Sequence, residues 1–156
     1  MKKCIKKIFF IGLIIFLLIQ LYQPARNQSF KQDDSINFIS MYNVPKNVET
    51  ILRTSCYDCH SNTTHYPMYS YIQPTRFFME SHIKEGKENL NFNEFGNYSS
   101  RKQNNKLDRI VKQIKSNDMP LSSYTLIHRD AILSNNQKQE VINWIQKTRD
   151  SNSSQN

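Results

Sequence analysis

Cysteine is scarce in this chain, with three in 156 residues, Cys4, Cys56 and Cys59. A small domain held together by a disulfide framework is thereby excluded. Glycine is scarcer than the loop content would suggest, also with three. There is no internal repeat and no segment with convincing strand alternation. No block of consecutive lysines and arginines marks a nucleic-acid-binding face. Acids are missing from the first 23 residues, where Lys2, Lys3, Lys6 and Lys7 account for half of the +8 net charge. The remainder has 17 basic against 13 acidic side chains. That mild excess suits an acidic partner or an anionic lipid surface better than nucleic acid.

What is present begins with MKKCIKK followed by IFFIGLIIFLLI, twelve residues without a polar side chain, with Leu21 and Tyr22 beyond Gln20. A basic stretch before an apolar run is the layout of a secretion signal. No small-x-small cleavage site follows, so residues 1–22 read as a signal anchor in preference to a cleaved signal peptide. The run is short for a spanning helix, but snorkelling lysines and an interfacial Tyr22 could make up the difference. On this reading the chain is a single-pass protein of the cytoplasmic membrane, held there by its N-terminal helix. Its domain lies on the periplasmic or extracytoplasmic side. Cys4 precedes the run, where a lipoprotein cysteine would follow it, and is a bystander.

Residues 23–43 read as a polar tether, 44–148 as the folded domain and 149–156 as a disordered tail. Helical periodicity is clear in three places. Val44, Val48, Ile51 and Leu52 share a face over about 45–56. Leu107, Ile110, Val111 and Ile114 do so over about 105–116, and Val141, Ile142, Trp144 and Ile145 over about 135–147. Ser134 and Gln137 form a capping-box signature before the last. TRFFMESHIKE at 75–85 is amphipathic and a further helix candidate. The expected fold is all-α: a small helical domain behind an N-terminal transmembrane or signal-anchor helix.

The first periodic helix runs into Cys56-Tyr57-Asp58-Cys59-His60. Two thiols three positions apart lie about one helical turn from each other, within reach of the two vinyl groups of one haem. The histidine after the second cysteine can then serve as the proximal iron ligand. Zinc needs four ligands, and no second Cys/His knuckle exists to supply them. A thioredoxin-like pair would follow a strand, and none precedes Cys56. A disulfide between i and i+3 would constrain little. Haem c, one per chain and covalently attached through Cys56 and Cys59 with His60 on the iron, is the reading that remains.

Met119, in Asn-Asp-Met-Pro-Leu, is the leading candidate for the distal ligand. A thioether favours reduced iron, and Pro120 stops the preceding helix. His82 and His128 are the alternatives. Tyr66, Tyr69, Tyr71, Phe77, Phe78, Phe92, Phe95 and Tyr124 could wall the haem. A carbonyl near Pro67 or Pro74 is a candidate acceptor for the second nitrogen of His60. Asp58 is expected to face solvent.

The order helix, CxxCH, helix, Met-Pro loop and C-terminal helix with an aromatic resembles class I cytochrome c. The chain more closely resembles the bacterial haem-binding domain proteins. The resemblance rests on CYDCHSN at 56–62, YPMYSYIQP at 66–74, HIKEGKENLNFNEF at 82–95, KLDRI at 106–110 and MPLSSYTLIH at 119–128. It covers about residues 40–147. In class I cytochromes c a glycine usually follows the motif histidine; here it is Ser61. The resemblance implies a small cytochrome c-like fold around one haem and a Met-Pro loop that delivers the sixth ligand. With no substrate pocket or acid–base pair visible in the sequence, the favoured function is single-electron transfer with redox partner proteins outside the cytoplasm, without enzymatic turnover. An open distal site, with His82 or Arg76 activating an oxidant, would instead make a peroxidase-like enzyme. A haem sensor or structural haem protein is the third possibility.

Overall fold

The computed structural model describes residues 2–29 and 33–153, with side chains to 151. Among them are eight α-helices: α1 Lys2–Ile19, α2 Phe38–Met41, α3 Lys46–Ser55, α4 Tyr57–His60, α5 Thr75–Asn89, α6 Ser100–Ser116, α7 Ser122–Thr125 and α8 Asn135–Ser153. Three short 3-10 turns join them, at Met68–Tyr71, Phe92–Asn97 and Arg129–Ala131. No strand forms among the described residues; a single bridge links Gln28 and Thr63.

The core follows the apolar periodicity. Val48 and Leu52 of α3, Leu107, Val111 and Ile114 of α6, and Val141, Ile142 and Ile145 of α8 are buried together. The α8 start is the capping box expected from sequence. The Ser134 backbone N–H donates to Gln137 Oε1 at 2.9 Å, and the Gln137 N–H donates to Ser134 Oγ at 3.2 Å. Each satisfies a donor that the first helical turn leaves open. Helix α6 starts about five residues earlier than its apolar stripe, because 100–106 is polar on all faces and carries no period.

The stretch 23–43 is more than a polar connector. Phe38, within α2, is fully buried and meets Phe92, Phe95 and Trp144 at ring-centroid distances of 5.0, 4.8 and 5.8 Å. Asn37 caps α2, its side chain accepting from the Ile39 N–H at 2.9 Å. Gly96 brings its backbone against Ile36 and donates to the Ile36 carbonyl at 2.8 Å. A four-residue helix has too few turns to show a period, which is why a buried phenylalanine in a polar stretch reads as linker.

The N-terminal helix corrects a second expectation. Among the described residues no helix is long and apolar enough to cross a membrane. The expected transmembrane or signal-anchor helix, and with it the single-pass placement in the cytoplasmic membrane, is overturned. Four lysines occupy the first turns of α1 and leave a twelve-residue apolar run. At 1.5 Å per residue that run is about 18 Å long, against about 30 Å of hydrocarbon. Helix α1 buries none of its residues. Its C-terminal end is tied to the domain: Gln20 and Gln73 exchange hydrogen bonds at 2.9 and 3.3 Å, and Gln73 Nε2 donates to the Tyr22 carbonyl at 2.5 Å.

Phe38→Ala should destabilise the fold by about 3–5 kcal/mol, the usual cost of emptying a fully buried aromatic position. Chemical denaturation of the variant beside the parent measures it; a loss below 1 kcal/mol would place α2 outside the cooperative core.

Candidate functional site

Cys56 ends α3 and opens α4, its backbone at φ −129° and ψ −39° turning the chain between them. The Cys59 and His60 N–H groups both donate to the Cys56 carbonyl, at 3.2 and 3.0 Å. The whole Cys-x-x-Cys-His motif is thereby one rigid turn. Cys56, Cys59 and His60 line a cavity of about 330 Å³, within the size range of ligand pockets. Leu90, Phe92, Ile110, Ile114, Leu121 and Leu133 supply much of its apolar wall.

Helix α5 closes one side of the cavity and holds the imidazole. His60 Nδ1 lies 2.9 Å from the Gly86 carbonyl and 3.1 Å from the Leu90 carbonyl. These acceptors replace the ones expected near Pro67 or Pro74. A ring N–H donated there leaves Nε2 as the lone-pair nitrogen, the state a metal requires. Burial holds the imidazole below its ordinary pKa; the two carbonyls oppose that, and the charge of Lys106 adds to it. Burial likewise pushes the Cys56 thiol up to about 12 and the Cys59 thiol up to about 11. Both sulfurs are thus protonated at neutral pH, and the imidazole is neutral.

Gly86 makes this approach possible. A Cβ there would sit 2.7 Å from the Cys59 carbonyl oxygen and 3.2 Å from Cys59 Cβ. Sequence reasoning passed over it. The available signal was a glycine inside the last turns of a helix, at a cost of up to about 1 kcal/mol relative to alanine, in a chain that has only three.

Met119 lines the same cavity. Its position is set by the end of α6: Asn117 adopts a left-handed conformation, φ 62°, and the Asp118 and Met119 N–H groups donate to the Gln113 carbonyl at 3.1 and 3.2 Å. This is a helix-terminating turn that reverses the chain and satisfies a terminal carbonyl. His82 also lines the cavity, exposed on α5. His128 does not: Tyr69 Oη is 2.6 Å from its Nε2, and Tyr124 stacks on its ring at 4.2 Å. Arg76 is buried elsewhere, with Nε 3.0 Å from Glu80 and Nη2 donating to the Pro24 carbonyl at 2.7 Å.

Asp58 does not simply face solvent. It lines the cavity, and its carboxylate accepts from Tyr124 Oη at 2.7 Å and from the His65 N–H at 3.2 Å. Burial, and then the bond to Asp58, raise the Tyr124 pKa. The bond joins α4 to α7, just beyond Met119, across the cavity rim. Of the expected aromatic wall, only Phe92 and Tyr124 line the space. Phe95 is core, while Tyr71, Phe77 and Phe78 are exposed.

Residues 14–147 match the model of a family described as haem-binding domain. The chain belongs to that family. Haem is accordingly the cofactor this chain binds, and the donors around the cavity fit it: two thiols one turn apart, a neutral imidazole and a thioether, against an apolar wall. No curated protein and no solved structure matches the chain.

Gly86→Ala should destabilise the protein by about 1–3 kcal/mol, because backbone must yield to the new methyl group. Tyr124→Phe should cost about 1 kcal/mol. Thermal unfolding of both variants tests this; a Gly86→Ala variant as stable as the parent would show that the α5 contact does not set the motif.

Proposed function

We propose that this haem is haem c, which Cys56 and Cys59 would hold by thioethers and whose iron His60 and Met119 would ligate. We further propose that the protein passes single electrons between redox partner proteins outside the cytoplasm. The observation that carries the reading is the convergence of all four side chains on one cavity. When bound, the haem supplies a one-electron iron couple whose potential a thioether ligand raises.

The chain's own groups supply order. The turn from Cys56 to His60 presents both sulfurs and the imidazole from one element. The Gly86 and Leu90 carbonyls keep the His60 proton on Nδ1. The Gln113 carbonyl pins the Met119 backbone, and the Asp58–Tyr124 bond ties the two sides of the rim. Transfer of an electron requires no proton donor and no substrate channel. Of the two side chains a peroxidase-like reading would use, Arg76 is committed to Glu80 and Pro24 and does not line the cavity, which leaves it His82 alone.

The chain should carry covalent haem when produced with a cytochrome c maturation system. Haem staining on a denaturing gel should be positive for the parent and absent for the Cys56→Ala, Cys59→Ala double variant; an unstained parent refutes covalent attachment. The oxidised protein should be low-spin and show the weak far-red band of a sulfur ligand. Met119→Ala should abolish that band and lower the potential, whereas His82→Ala should leave it. A parent without the band, turned high-spin by His82→Ala, would assign the distal position to His82. A parent already high-spin would favour an open site.

A further inference from the structure

Among the described residues lining the cavity, two side chains are permanently cationic, Lys106 and Arg109, and both come from α6. They are three positions apart and share one side of the helix. Neither has a carboxylate partner. Among the described residues the Arg109 side chain makes no hydrogen bond and no ion pair, while Lys106 Nζ donates to the Asn89 carbonyl and lies 5.6 Å from the centroid of the Tyr98 ring. The one acid of α6, Asp108, is taken by Arg149 at 2.5 Å. Of the cavity's other acids, Asp58 is occupied by Tyr124 and His65, and Glu85, exposed on α5 as Arg109 is on α6, forms no ion pair among the described residues. Burial, and repulsion from Arg109 and Lys102, hold Lys106 below the ordinary lysine value.

Two like charges brought together at an apolar cavity cost free energy unless an anion answers them. Lys106 and Arg109 also border a shallow surface groove along α6 together with Lys102 and Lys112, but those two lysines do not line the cavity. Haem b and haem c both carry two propionates on the edge away from the vinyl groups. Once the vinyl edge is committed to Cys56 and Cys59, the propionates need cations from another element. We propose that Lys106 and Arg109 receive the haem propionates, one as a point charge and the other as a planar fork. The inference rests on the reading that haem occupies this cavity. It assigns α6 the task of fixing how the macrocycle sits in its plane. It also distinguishes, among the six basic residues of α6, an inner pair that lines the cavity, Lys106 and Arg109, from the four that do not.

The experiment uses the full chain made with a cytochrome c maturation system, as the parent and as Lys106→Gln, Arg109→Gln, the double variant and Lys102→Gln. Haem staining comes first: an unstained parent removes the haem reading itself, and this inference with it. With staining retained, resonance Raman bands from propionate bending should shift in each inner-pair variant and remain in place in Lys102→Gln. Losing a cation beside the haem should also disfavour the reduced state, by about threefold for each, or roughly 28 mV on a scale where tenfold is 59 mV for one electron. Lys106→Arg and Arg109→Lys, which keep the charge, should hold the potential near the parent's. Propionate bands unchanged in the inner-pair variants overturn the proposal, even if the potential falls, since cations acting through space would do the same. If the double variant is not recovered, the single variants are read by the same criteria.

Discussion

The site depends on the close approach of one helix backbone to one turn. At Gly86, α5 comes against Cys59 with no side chain between them, and the same stretch offers the Gly86 and Leu90 carbonyls to His60. Those carbonyls lie at the C-terminal end of the helix, where acceptors are in excess and the dipole is negative. A neutral imidazole with its proton on Nδ1 satisfies that end, and the end in turn orients the imidazole. Leu90 O is otherwise an unpaired terminal carbonyl; Gly86 O also receives the Leu90 N–H at 2.8 Å.

A second device ties the two halves of the cavity. The motif turn comes from residues 56–60, and the Met119 loop lies about sixty residues later. Tyr124 reaches back to Asp58 across that gap. Met119 itself is placed by backbone geometry at the end of α6, through the left-handed Asn117 and the shared Gln113 carbonyl. The cavity is therefore bounded by elements that are each fixed before anything enters it: a turn, a helix face, a capped terminus and a stitched rim.

Much of this was legible in the residues. That the motif residues and Met119 would meet at one cavity could be read, because the motif is a set of side chains at fixed spacing and Met119 sits beside a proline at the end of a periodic helix. The long helices could be read because each repeats its apolar face over several turns. What could not be read has a common cause. Carbonyls have no sequence signature, so the acceptors for His60 were sought near prolines and found on α5. Helices of four residues show no period, so α2 and its Phe38 passed for linker. Aromatics clustered in sequence at 66–78 suggested a wall, yet only contacts across long separations decide which rings meet, and Phe92 and Tyr124 were the ones to join the motif. The apolar run of α1 invited a membrane reading because snorkelling lysines and Tyr22 were expected to make up for its shortness; the lysines instead consume the turns that would have completed a span.

Residues 24–29 follow α1 as an arm laid on the domain. The Pro24 carbonyl receives Arg76, and Asn27 donates to Ser61 and Thr64 at 2.9 Å and accepts from Lys87 at 2.7 Å. Its backbone is engaged as well, with the Asn27 N–H given to Tyr66 and its carbonyl taken by the Thr64 N–H. Peptidases bind their targets as extended strands through these same backbone groups. The arm therefore cannot be read by a peptidase until its bonds to the domain are undone, and resistance to cleavage at this segment reports directly on whether the domain beneath it is folded.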